Sequence, residues 1–160
     1  MADKLVPSQD DTGAVRRFRD MADGTFAEVV SVAAGAVGAA GYPAGATPIA
    51  VTSGNATNAT ATATLPAAVG KTTYITGFAV TGGGATAGQL AGVTVTGVPG
   101  GPLNYTVASP TGITNPLQPL IINFSPPLPA TALNTAIAVS VAALGAGNVS
   151  SNVTATGFQL

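Results

Sequence analysis

Thr57-Asn-Ala-Thr-Ala-Thr-Ala-Thr-Leu65 is the stretch that most directly indicates the fold. Thr60, Thr62 and Thr64 alternate with alanine, and a period of two residues is typical of a β-strand, whose side chains point to opposite faces in turn. One face of this segment carries hydroxyls and the other carries mostly methyl groups. The stretch therefore predicts a strand with one thinly apolar side.

The same pattern of short strand and turn continues toward the C-terminus. Gly82-Gly83-Gly84 and Pro99-Gly100-Gly101-Pro102 are two of the turn-forming segments that separate the strands. Short strands at about ten-residue spacing favour a β-sandwich or barrel. Leu120–Phe124 is the most continuous apolar run, and we expect it to be a central strand buried on both faces. The predicted strands of this region are 49–52, 57–65, 72–81, 88–97, 103–108, 120–124, 136–141 and 153–160.

A short internal repeat suggests which strands are neighbours. Thr76-Gly77-Phe78 recurs as Thr156-Gly157-Phe158 near the end of the chain. In a jelly roll, early and late strands commonly lie side by side, and glycine in both would allow a close approach. The sequence therefore predicts an all-β fold, a jelly-roll-like β-sandwich, preceded by an extended N-terminal arm with a β-hairpin.

The first part of the chain has a different character. Ala14–Asp20 and Thr25–Val32 read as the strands of the hairpin, with Asp23-Gly24 in its turn. Residues 33–46 are almost entirely alanine and glycine, which predicts a linker or an extended connection. We therefore predict two regions: an N-terminal arm, hairpin and linker over 1–45, and a β-sandwich domain over 46–160.

Charge is segregated along the chain. Of the five basic and six acidic residues, all but Lys71 lie between Asp3 and Glu28. A neutral surface on the remaining residues is unusual for a free monomer, because charge keeps soluble molecules apart. The core is also rich in alanine and yields little burial energy per residue. Both features favour a homo-oligomer or a fixed copy on a larger particle.

The composition argues against an enzyme. Histidine is absent, and every carboxylate side chain lies within the first 28 residues, so the β-domain lacks the usual general acids and bases. Cysteine is also absent. Gly70-Lys71-Thr72 does not match a phosphate-binding loop, because Leu65 occupies the position of its first glycine. We therefore predict no catalytic, metal or cofactor site.

Nucleic acid and membrane partners are not expected either. The net charge is −1, and acidic residues surround the one basic cluster of Arg16, Arg17 and Arg19. Gly, Pro, Asn and Thr interrupt every apolar run that might cross a bilayer. Met1–Asp11 contains no apolar segment of the kind found in a signal peptide, so we expect synthesis in a cytoplasm.

Two groups of residues then resemble a known class of protein. The first is a basic strand, an Asp-Gly turn and a Phe-Ala-Glu-Val-Val strand within 15–30. It resembles a stretch found in many virion proteins of tailed bacteriophages. The body motifs Tyr74-Ile-Thr-Gly-Phe78, Leu103-Asn-Tyr-Thr-Val107, Ile122-Asn-Phe-Ser-Pro126-Pro127-Leu128-Pro129 and Asn134-Thr-Ala-Ile137 resemble jelly-roll-like phage surface domains.

The resemblance implies a structural protein of the virion, made in the bacterial host cytoplasm, that decorates or projects from the capsid surface as a head decoration or head-fibre protein. It implies the major capsid protein as the partner of region 1–45, and a homo-oligomer, by analogy a trimer. The candidate capsid-anchoring residues are Arg16, Arg17, Phe18, Arg19, Phe26 and Glu28. The candidate oligomer-interface or core residues are Phe78, Tyr105, Ile122, Phe124 and Phe158.

Two alternatives remain open at this point. A phage tail or receptor-binding module would recognise host surface glycans, with Tyr74 and Tyr105 as residues able to stack on sugars. A depolymerase would need acid and base groups, which the β-domain lacks. Of these two, the glycan-binding module is the stronger alternative.

Overall fold

The computed structural model describes residues 17–20, 26–29, 41–114 and 116–160. The chain divides into two compact units, Met1–Val37 and Gly38–Leu160, and the division falls inside the predicted alanine-glycine linker. Every element that the structure describes is a β-strand, which confirms the all-β prediction. In these residues there is no helix long and apolar enough to cross a bilayer.

The first unit contains the predicted hairpin. Strands β1 (Arg17–Asp20) and β2 (Phe26–Val29) pair in antiparallel register, with Phe18 opposite Glu28 and Asp20 opposite Phe26. The predicted turn at 21–24 and the flanking positions 14–16 and 30–32 lie outside the described residues, as does most of the linker. The strand pairing itself agrees with the prediction from the Asp-Gly turn.

The second unit is a sandwich of two four-stranded antiparallel sheets. Sheet I has the strand order β3-β10-β5-β8, and sheet II has the order β4-β9-β6-β7. The predicted β-sandwich is therefore confirmed. The strands are β3 (Thr47–Thr52), β4 (Ala61–Leu65), β5 (Thr73–Gly83), β6 (Gln89–Thr96), β7 (Leu103–Ser109), β8 (Leu120–Pro129), β9 (Ile137–Val141) and β10 (Ser150–Gln159).

The connectivity of this unit is that of a jelly roll. Strand β3 pairs with β10, β4 with β9, β5 with β8, and β6 with β7, so the pairs are nested as in one long hairpin. Lateral pairing of β5 with β10 and of β6 with β9 completes the two sheets. Among the strands of the sandwich, only β6 and β7 are both consecutive in the chain and neighbours in a sheet. Rolling a long antiparallel hairpin into two sheets produces this order.

The core lies between the sheets and is mainly aliphatic. Leu65, Ile75, Ile137 and Leu144 are its largest fully buried side chains, and valines from β5, β6, β9 and β10 pack between them. Period-two burial is clear in β4, where the alanines and Leu65 are buried and the threonines are exposed. The alternation in the opening stretch of the sequence thus places alanine inward and threonine outward.

The internal repeat marks the centre of sheet I. Its two copies lie on β5 and β10, with Thr156 opposite Gly77 and Gly157 opposite Ile75, on either side of a register shift. A Cβ atom at Gly77 would lie 2.7 Å from the Ile122 carbonyl oxygen, and one at Gly157 would collide with the Tyr74 carbonyl oxygen. Gly157 is therefore required by the close approach of β10 to β5, as the repeat predicted, whereas Gly77 is required by the approach of β8 on the other side of β5.

One strand prediction is wrong. Strand β8 is an edge strand of sheet I, not a central one, and Ile121 is 63% exposed on its outer face. The strand also continues beyond the predicted end at Phe124, through Pro126 to Pro129. An edge strand tolerates proline because one side of its backbone needs no hydrogen-bond partner. The apolar run therefore has one face toward the core and one toward the exterior.

Candidate interaction surface

The two long sides of the sandwich differ in how well they are closed. On one side, which we call the closed side, the edge strands β3 and β4 lie in contact. On the other, the open side, the edge strands are β7 and β8, and they do not pack against each other in this way. The inward side chains of these two pairs of strands show the consequence.

On the closed side, the inward side chains of β4 are fully covered, whereas Ile49 and Val51 of β3 are half-buried. Ala61, Ala63 and Leu65 of β4 are at most 2% exposed. The chain after β3 remains attached to β10, because the Ala56 amide donates to the Ser151 carbonyl (2.8 Å) and the Asn58 amide donates to the Asn148 carbonyl (3.0 Å). These hydrogen bonds extend the β3–β10 pairing beyond the strand and hold this side of the core shut.

On the open side, an aromatic cluster bridges the two sheets. The Phe78 ring of β5 lies 5.5 Å from the Tyr105 ring of β7, edge to face, and 6.1 Å from the tilted Phe124 ring of β8. Phe78 is buried, whereas Tyr105 and Phe124 are only half-buried. Rings at these separations attract one another, but part of their surface stays accessible to solvent.

Aliphatic side chains extend this partly covered surface. Leu103 of β7 and Leu120, Ile122 and Leu128 of β8 pack against the core but are only partly buried. Ile121 projects from the outer face of β8, where Asn123 follows it. The partly buried side chains of β7 and β8 form an apolar strip on the open side.

Strand β7 has none of the usual protections of an edge. Among the residues that the structure describes, its backbone pairs only with β6, and Leu103–Ser109 contains no lysine, proline or glycine. Natural sheets usually protect such edges with charge, proline or a bulge, because an unpaired strand edge is a template for pairing with another chain. An unprotected edge beside half-buried aromatics is a candidate surface for protein–protein contact.

A second aromatic cluster lies on the outer face of sheet I. The Phe158 ring of β10 stacks on Tyr74 of β5 at 4.8 Å, and Tyr42 packs edge-on against Phe158 at 5.7 Å. Phe158 is buried but is not part of the core between the sheets. Tyr42 precedes β3, so this cluster fixes the chain where it enters the sandwich.

The two ends of the sandwich also differ. We call the end that holds Tyr42, Lys71 and Leu160 the entry end. Lys71 is the single charged side chain of the second unit, and its Nζ donates to Oγ1 of Thr47, the first residue of β3, at 3.0 Å. At the opposite, distal end, a shallow depression of about 400 Å³ lies between the two turns that follow β5 and precede β10. Its lining residues are Thr81, Gly82, Gly83, Gly84, Ile113, Pro116, Val149 and Ser150.

The structure brings together most, but not all, of the predicted interface or core residues. Phe78, Tyr105, Ile122 and Phe124 meet at the open side, whereas Phe158 lies on the outer face of sheet I. Tyr74, a candidate for sugar stacking, has one ring face occupied by Phe158, and Tyr105 contacts Phe78. Tyr42 was not predicted as part of a site, because one aromatic residue among alanine and glycine carries no periodic signal.

The candidate anchoring residues are placed only by their backbone. Arg17, Phe18 and Arg19 lie on β1, and Phe26 and Glu28 lie on β2, while Arg16 is outside the described residues. The hairpin pairing thus brings the basic strand beside the strand that contains Glu28. Among the described residues, no three His, Cys, Asp or Glu side chains gather in one place.

Comparison with known proteins identified no relative of this chain. A scan against protein-family models, a search of curated proteins and a search of solved structures each returned no match.

Proposed function

We propose that this chain is a structural protein of a tailed-bacteriophage virion. Region 1–45 attaches it to the major capsid protein, and region 46–160 projects from the capsid surface as an oligomeric module, by analogy a trimer. The proposal depends on one observation, that nearly all charged residues precede the folded β-domain. All charged residues but Lys71 precede residue 29, and the jelly roll that follows is almost neutral.

This division suits a protein whose N-terminal region attaches it to the capsid and whose β-domain projects outward. Mixed basic and acidic residues on a two-stranded hairpin favour one register against a complementary surface more than they add affinity. An isolated hairpin of this size is marginally stable in water, so it gains stability by docking on a larger assembly. The neutral jelly roll, an architecture that viral capsid domains use, then provides a rigid displayed body.

The proposal is of a non-enzymatic role. Between residues 29 and 160 the chain has no histidine, aspartate, glutamate or cysteine, so the displayed body lacks the side chains most often used for proton transfer and metal binding. The prominent features of its surface are apolar strips and threonine-rich faces. Such features support contact with other proteins more than chemistry on a substrate.

Capsid attachment can be tested with the full chain and capsids from which it has been stripped. Replacing Arg17 and Arg19 with glutamate reverses the charge of β1 and should weaken co-sedimentation with capsids at least tenfold. Lys71→Glu, the matched control, changes charge on the β-domain and should leave co-sedimentation within twofold of the unmodified chain. Equal loss in both variants, or no loss in either, would contradict the anchoring role.

The second candidate is a tail or receptor-binding module for host surface glycans. The depression at the distal end favours it, because Thr81 and Ser150 are hydroxyl-bearing residues in its lining. Labelling intact particles with an antibody against the chain separates the two proposals. Label on heads supports the capsid role, and label confined to tails supports the receptor-binding role.

A further inference from the structure

The open side presents apolar surface that residues 41–114 and 116–160 leave partly uncovered. Tyr105 and Phe124 are half-buried, as are the neighbouring Leu120 and Ile122. Apolar surface of this kind gains about 25 cal/mol per Å² when it is removed from water. Contiguous apolar patches on a protein surface commonly mark protein–protein contacts.

Exposed side chains continue this strip onto both outer faces. Ile121 of β8 is 63% exposed on the outer face of sheet I, and Leu90 of β6 is 73% exposed on the outer face of sheet II. Leu90 is opposite Ala108 of β7, so it lies one strand from the open edge. One exposed apolar side chain therefore lies on each outer face near the open side.

Charge indicates which partner fits. Like charges that face each other across an interface cost binding energy, and a contact between two copies avoids this cost where the surface carries no charged side chain. Residues 29–160 carry only Lys71, which reaches Thr47 beside β3, the edge of sheet I opposite β8. Two copies that meet at the open side therefore bring no charged side chains together. The first 28 residues carry ten charges and are poorly matched to this surface.

We propose that the open side is a self-association surface, on which a second copy of this chain docks through β7 and the first half of β8. This inference rests on the oligomeric body in the proposed function and names the surface that forms it. The half-buried Tyr105 and Phe124 are its central apolar contacts. The unpaired edge of β7 contributes backbone groups that a neighbouring copy can pair with or cover.

The test measures the mass of the intact 160-residue chain by light scattering at tens of micromolar. We expect a multiple of the 15.3 kDa chain mass. Ile121→Lys and Thr106→Lys place a charge on exposed positions of β8 and β7, and each should weaken association at least tenfold. Thr64→Lys on β4, exposed in the same way on the closed side, is the control and should keep the oligomer intact.

Folding is checked in each variant by tyrosine fluorescence, because all three tyrosines belong to the second unit and tryptophan is absent. A monomeric unmodified chain, including one whose own N-terminal segment covers the strip, would overturn the inference. Dissociation by Thr64→Lys to the same extent as by Ile121→Lys would also overturn it. Capsid co-sedimentation of the same variants reports the anchoring role separately, so either proposal can fail while the other stands.

Discussion

The closed side and the open side of this jelly roll are built from the same two sheets, yet the inward side chains of their edge strands are buried to different extents. On the closed side, β4 contributes small alanines and one leucine, all fully buried, and the chain after β3 is tied to β10 by hydrogen bonds. On the open side, β7 and β8 contribute larger side chains that remain half-covered. The contrast therefore lies between β4, whose inward side chains are covered completely, and the edge strands of the open side; Ile49 and Val51 of β3 are half-buried although β3 contacts β4.

This difference predicts unequal costs for the same substitution. Leu65→Ala on the closed side removes a fully buried side chain and leaves a cavity, which should lower the free energy of unfolding by about 2–5 kcal/mol. Leu120→Ala on the open side removes a half-buried one and should cost about 1 kcal/mol at low protein concentration. Urea unfolding followed by tyrosine fluorescence measures both.

The same pair of variants also reports assembly. If a second copy covers the open side, the cost of Leu120→Ala grows as protein concentration rises, because association stabilises the unmodified chain more. The cost of Leu65→Ala should not change with concentration, since that side chain is already covered within one chain. Equal costs for the two variants at low concentration would show that the two sides do not differ in closure.

Substitutions at two glycines should change the free energy of unfolding by smaller amounts than Leu65→Ala. A methyl group at Gly157 would collide with the Tyr74 carbonyl oxygen and press on Leu65 near the closed side. Gly157→Ala should therefore destabilise the fold by about 1–3 kcal/mol, as overpacking does. Gly92 of β6 faces open space, with no atom within 4 Å of a Cβ placed there. Gly92→Ala should stabilise by about 0.5 kcal/mol, because the unfolded chain loses freedom.

Thermal or urea unfolding of the two glycine variants gives the sign of each effect. The expected result is opposite signs, with the larger magnitude at Gly157. A neutral Gly157→Ala would mean that β5 and β10 can move apart at no cost. Close approach of the two strands would then no longer explain why Thr-Gly-Phe recurs in both.

The sequence was informative where structure depends on local patterns. Alternation of threonine and alanine before Leu65 predicted a strand with alanine inward, and the recurrence of Thr76-Gly77-Phe78 at Thr156 predicted that two distant strands are neighbours. It failed for β8. A run such as Leu120–Phe124 is apolar on both faces whether its outer face is covered by its own chain or left exposed. Periodicity cannot distinguish these two cases.

The open side could not be predicted for a related reason. Which strands become edges depends on pairing between distant segments, such as β3 with β10. The Val153 amide, for example, donates to Oγ of Ser53, a residue 100 positions earlier in the chain. Phe78, Tyr105, Ile122 and Phe124 were identified by type as candidate core or interface residues, but the choice between core and interface needed the sheet order. Phe158 was grouped with them because its sequence pattern does not show that it lies on the other face of its sheet.

The smallest expected effect concerns pH, and it tests whether the two sides differ only in packing. Residues 29–160 contain no histidine, aspartate or glutamate, so neither side has a side chain that changes charge between about pH 5 and 8. The urea midpoint reported by tyrosine fluorescence should therefore be the same across this range for the unmodified chain, Leu65→Ala and Leu120→Ala. A midpoint that shifts with pH would show that the charged N-terminal segment stabilises the jelly roll. If the urea midpoint shifted with pH only in Leu120→Ala, the N-terminal segment would be in contact with the open side. A second copy would then no longer be needed to cover the open side.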